Sequence, residues 1–129
     1  MTQAVVRWLL AGTGALQLAM NALTLASALP RIRQQTAAGA VDERFGDLLS
    51  VAWSHSGIAG AFVGALLVLV AGPAAVGDVV ARRIAWAIGL YYVLLGPALY
   101  LAGLRRHAGL LVFCIFGLVV LAALRLGRP

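Results

Sequence analysis

The sequence predicts an all-α fold: a four-helix transmembrane bundle, up-down-up-down, with the N- and C-termini on the same side. Three observations carry this expectation. Of 129 residues, 63% are hydrophobic and only 11% charged, whereas a soluble domain carries about 25% charged residues to cover its surface. The apolar residues gather into four segments of roughly 20, the length a helix needs to cross a hydrocarbon core. The second and third connections between them are short, which forces antiparallel neighbours. In lipid a segment must satisfy its own backbone, so each span reads as a helix. Residues 1–129 read as one integral membrane domain.

Span one is expected over residues 8–29, stopping at Pro30, whose ring cannot continue a helix. Its Ala26-Ser27-Ala28 triplet has the outline of a signal-cleavage site, but the apolar run is long for a signal. Residues 31–47 form the longest polar stretch and read as a loop with three acids, Asp42, Glu43 and Asp47. Asp47 is expected to favour the start of span two through the helix dipole. Span two, residues 48–71, ends at Gly72-Pro73, and a short loop with Gly77-Asp78 follows. Span three, residues 84–104, lies between Arg82-Arg83 and Arg105-Arg106. A tight turn with His107 leads into span four, residues 108–126. The echo between residues 22–26 and 98–102 is of the kind that chance produces in a chain so rich in Ala and Leu.

All ten basic residues are arginine. They lie at the ends of apolar runs rather than along one stripe, which argues against nucleic acid and for contact with water and lipid headgroups. The face bearing the termini (side A) carries Arg7, Arg82, Arg83, Arg125 and Arg128; side B carries Arg31, Arg33, Arg44, Arg105 and Arg106. That tie leaves orientation weakly specified. Side A has one acid and side B three, which leans toward cytoplasmic termini in a bacterial plasma membrane; the Arg-only, Ala- and Gly-rich usage resembles that of a GC-rich genome. Cys114, alone and inside span four, reads as inert packing and is silent on redox compartment.

The candidate site gathers in the side B half. Thr13, Gln17, Asn21 and Thr24 are spaced four, four and three apart, one helical face that should meet protein or a cavity rather than lipid. Span two opens with Trp53, Ser54 and His55, the histidine about 7 Å from the span centre. Depth places Asn21, Thr24, Ser54, His55 and Tyr100 in one layer, with Gln17, Tyr91 and Tyr92 nearer the midplane. An intramembrane histidine is a functional candidate by default, set against a structural histidine bonded to Asn21 or a carbonyl. Gly96-Pro97 is expected to kink span three and free a carbonyl, and Gly60 and Gly64 to allow close helix approach.

These residues support two function classes. In the first, the bundle binds a membrane lipid or an apolar small molecule, or serves as an accessory subunit of a membrane complex. Gln17, Asn21, Thr24, Trp53, Ser54, Tyr91, Tyr92 and Tyr100 then line the site, and Arg105 and Arg106 hold an anionic headgroup at its mouth. In the second, an intramembrane isomerase or cyclase uses His55 as acid and base. A small transporter is a third reading, weakened because no span contains a carboxylate for coupling: a small multidrug exporter would need a central Glu in span one, where this chain has Gln17. The fluoride-channel signature is missing too. No cofactor and no metal site are expected, since two histidines without a carboxylate cluster make a poor ligand set. The expected partners are membrane lipid, an apolar small molecule, and a second copy or a larger membrane complex.

Overall fold

The computed structural model describes residues 1–101 and 109–127, with side-chain detail absent for 109 and 110. The fold is all-α: α1 spans Gln3–Ala37, α2 Glu43–Ala75, α3 Val79–Leu101 and α4 Gly109–Leu126. The first three are long and apolar enough to cross a membrane, and the apolar stretch Leu111–Leu126 is shorter. The expected turn at 105–109, the end of span three and the start of span four lie largely outside the described residues.

The helices outrun the apolar segments. α1 continues through Pro30 to Ala37, so the expected stop at Pro30 is wrong. The proline withholds one N–H, from the Ala26 carbonyl, and one missing ladder bond does not end a helix whose flanking turns keep theirs. Residues 31–37 and 43–47 are therefore helical rather than loop, and α2 runs past Gly72-Pro73 to Ala75. Hydropathy marks where lipid ends, not where helical hydrogen bonding ends. At about 1.5 Å per residue α1 is roughly 52 Å long, well beyond a core of about 30 Å.

Local chemistry at the turns fixes the true ends. Gly39 has φ 69° and Gly77 φ 97°, the left-handed conformation that closes a helix most cheaply at glycine. Each sits in a pair of closing bonds: Gly39 N–H to Thr36 O and Ala40 N–H to Gln35 O, then Gly77 N–H to Ala74 O and Asp78 N–H to Pro73 O. This is the Schellman arrangement. An aspartate then caps the next helix, Asp42 Oδ1 accepting from Phe45 N at 3.2 Å and Asp78 Oδ1 from Ala81 N at 2.7 Å. Asp42, not Asp47, therefore starts α2; Asp47 already lies inside the helix.

The chain divides into two compact units, residues 15–65 and residues 1–14 with 66–129. In the first, α1 and α2 run antiparallel, with Asn21 against Gly60, Leu25 against Gly57 and Thr36 against Gly46. In the second, α3 and α4 run antiparallel at very close approach. A Cβ on Gly117 would lie 2.6 Å from both Gly89 O and Val93 N, so only glycine lets α4 rest on the α3 backbone here. Ala85, Ile88, Tyr92, Val120 and Leu124 are buried in this unit. At its end the Met1 ammonium donates to Leu126 O at 3.2 Å, which puts the two ends of the described chain on one side. The half-buried Arg82 guanidinium donates to Leu124 O, to Gly127 O at 3.3 Å and to Ala74 O at 3.5 Å. One cation thereby serves the carbonyl-rich C-terminal ends of α2 and α4, where the helix dipoles favour positive charge.

Candidate functional site

Within residues 15–65 the polar side chains mostly turn to their own helix. Asn21 Nδ2 donates to Gln17 O at 2.8 Å, Thr24 Oγ1 to Met20 O at 2.7 Å, Thr36 Oγ1 to Ile32 O at 3.0 Å and Ser50 Oγ to Gly46 O at 2.9 Å. Each reaches back four residues, the local solution open to short polar side chains in a helix. Thr13 and Gln17 are buried and Asn21 is half-buried, but Thr24 is exposed. The stripe passes through Leu25 instead, which packs against Gly57. Gln17 stands apart: it is 1% exposed, and neither Nε2 nor Oε1 has a partner among the described residues.

His55 is exposed. It lies two positions from Gly57, about 200° around α2, on the face opposite the one that meets α1. Gly60 is the residue level with Asn21, and His55 lies five positions, about 7–8 Å, further along. The layer expected to unite Asn21 with His55 therefore does not form within this unit. The depth arithmetic set the centres of the two apolar segments level, and the α1–α2 contacts set a different register. Ser54 is half-buried, and Trp53 lines a small cleft of about 180 Å³ with Leu49, Ala52 and Ser56.

The tyrosine candidates belong to the other unit. Tyr92 is 2% exposed and stacks on Phe113 at 6.0 Å and 11°. Tyr91, which is exposed, meets Tyr92 edge-on at 5.0 Å and 71°. Tyr92 is thus core. Tyr100 lines a cleft of about 290 Å³ with Gly96, Pro97, Leu111 and Cys114, with no polar atom on its wall. Arg105, Arg106 and His107 lie outside the described residues.

Pro97 and Cys114, which both line this cleft, are linked through one carbonyl. Pro97 has no N–H to give the carbonyl four residues back, at Val93. The half-buried Cys114 thiol donates to that same oxygen at 3.8 Å, a weak bond of the kind open to an S–H. The carbonyl that the sequence predicts Pro97 to free is taken up from α4. Sequence reasoning had both residues but not their pairing, because nothing in one helix announces which residue of another lies across from it.

A larger cleft, about 580 Å³, opens at the end where the chain termini lie, lined by Gln3, Ala4, Arg7, Pro73, Val76 and Asp78 among others. The sequence offered Arg7 and Asp78 only as flanking charges. Comparison with protein-family models, with curated proteins and with solved structures finds no match to this chain, so the chemistry of these clefts is the basis for a functional reading.

Proposed function

We propose that this protein is a small integral membrane protein that holds a lipid hydrocarbon chain, or an apolar molecule of similar shape, in the cleft formed by Gly96, Pro97, Tyr100, Leu111 and Cys114. The observation that carries the reading is that this cleft, inside an apolar segment, offers an occupant no polar atom. Its one backbone liability, the carbonyl left by Pro97, is occupied by the Cys114 thiol. A site whose accessible wall is apolar favours an apolar occupant, and its volume is near the lower end of ligand pockets, roughly 300–1,000 Å³. The proposed setting is a bacterial plasma membrane with cytoplasmic termini, a lean that comes from the acids, one on side A against three on side B, and not from the evenly split arginines. The acid-base reading of His55 draws less support: the imidazole is turned away from α1, and the Asn21 amide that would orient it donates to the Gln17 carbonyl.

Native mass spectrometry of the detergent-purified protein tests this. Leu111→Trp fills the cleft from an exposed position and should reduce retained lipid severalfold. Leu118→Trp, equally on the exposed face of α4 but outside the cleft, should leave retention unchanged, as should His55→Ala. Equal retention by the two tryptophan variants would remove the cleft from consideration.

A further inference from the structure

The larger cleft has a composition different from the apolar one. Arg7 lines it and makes no hydrogen bond or ion pair with any described residue. Asp78 lines it too; Oδ1 caps α3 through the Ala81 amide, and no described residue pairs with its second oxygen or its charge. Gln3 is on the same wall, while Ala4, Pro73, Ala75 and Val76 make the rest of the lining mostly apolar. A cation and an anion therefore face one space of about 580 Å³ without being spent on each other.

The level of this cleft in a membrane follows from its neighbours. Arg7 is the last polar residue before the apolar run of α1, and Trp8, next to it, is 74% exposed. An amphipathic indole beside an arginine at the start of a span marks the headgroup layer. Gly72, Pro73 and Val76 stand at the end of α2, and Asp78 at the start of α3, again where spans leave the hydrocarbon. An occupant must thus suit the interface: phosphate for the guanidinium, a positive group for the carboxylate, and a hydrocarbon continuation along the alanine and valine wall.

We propose that this cleft receives the zwitterionic headgroup of a primary-amine phospholipid, the phosphodiester held by Arg7 and Gln3 and the ammonium by Asp78. A purely anionic headgroup would satisfy Arg7 but set a second negative charge beside Asp78. A free phosphate would leave the apolar wall uncovered. This site is separate from the apolar cleft and does not rest on it.

The test uses the full chain in a neutral detergent, with thermal shift reporting affinity through the ligand-linked gain in stability. Dihexanoyl phosphatidylethanolamine, dihexanoyl phosphatidylglycerol, phosphoethanolamine and inorganic phosphate are titrated separately. The ethanolamine lipid should bind roughly tenfold tighter than the glycerol lipid, about the worth of one charge-assisted contact; phosphoethanolamine should bind more weakly than the lipid, and inorganic phosphate weakest. Arg7→Gln should weaken both lipids by roughly tenfold. Asp78→Asn keeps a capping side chain for α3 while removing the charge, so it should abolish the preference between the two lipids without lowering the unliganded melting temperature. A glycerol-lipid preference, inorganic phosphate binding as tightly as the ethanolamine lipid, or an unchanged preference in Asp78→Asn would each overturn the proposal.

Discussion

The amides of Gln17 and Asn21 sit one turn apart on α1 and meet opposite circumstances. Asn21 is short enough to reach back to the Gln17 carbonyl at 2.8 Å, and Gly60 leaves room for it. Gln17 is buried with both polar atoms unpartnered. A buried amide without a bond costs about 1–3 kcal/mol, and replacing it by an apolar group of the same shape can return much of that. Gln17→Met is accordingly expected to raise stability by about 1–2 kcal/mol, measured by unfolding in detergent. A lower stability would mean that the amide holds a polar partner within the fold. The four-residue spacing put Thr13, Gln17, Asn21 and Thr24 on one face. Thr24 is instead exposed, because Thr24 and Leu25 lie nearly as close to that line. Packing against Gly57 selected Leu25. The spacing was silent, too, on whether the polar atoms would bond between helices or along their own.

At the scale of elements, the closest approach lies where Gly117 of α4 rests on α3 at Gly89 and Val93. Its neighbours there are backbone atoms, which cannot rotate aside. Gly117→Ala should therefore destabilise the α3–α4 pair by about 2–3 kcal/mol, the usual scale of overpacking. Gly12 provides the contrast: it is a helical glycine with nothing within 4 Å of an added Cβ. Gly12→Ala should be neutral or stabilising by up to about 1 kcal/mol. If chemical unfolding of the two variants gave equal changes, the close crossing would be refuted. Glycine pairs within one helix, such as Gly60 and Gly64, are visible in the sequence. The pairing of Gly89 with Gly117 is not, because it depends on a register between helices that no local pattern encodes. The helix ends were partly legible: Gly77-Asp78 is a stop followed by a cap, whereas Gly39 and Asp42 were hidden in a polar stretch that read as loop.

For the whole molecule, the arginine tie changes meaning once the side chains are placed. Arg82 counts toward side A in the sequence, yet its guanidinium is engaged by carbonyls at the ends of α2 and α4, so it contributes less to the lipid-facing charge that orients a chain. Arg31 and Arg33 count toward side B and lie exposed in the extension of α1 beyond Pro30. The Met1–Leu126 contact keeps the two ends on one side whichever face that is. The discount leaves side A about one cation short of side B, against the lean from the acids, and small changes in arginine number should move the orientation. Arg31→Gln with Arg33→Gln removes two charges from side B and should drive the C-terminus fully to the cytoplasm. Arg83→Gln with Arg125→Gln, both exposed and on side A, should drive it to the opposite face. A C-terminal reporter active on only one side of the membrane reads both variants. Opposite displacements would establish that exposed arginines set the topology. The same distribution in both variants would mean that the interior, Arg82 included, fixes the orientation and that the even split is incidental.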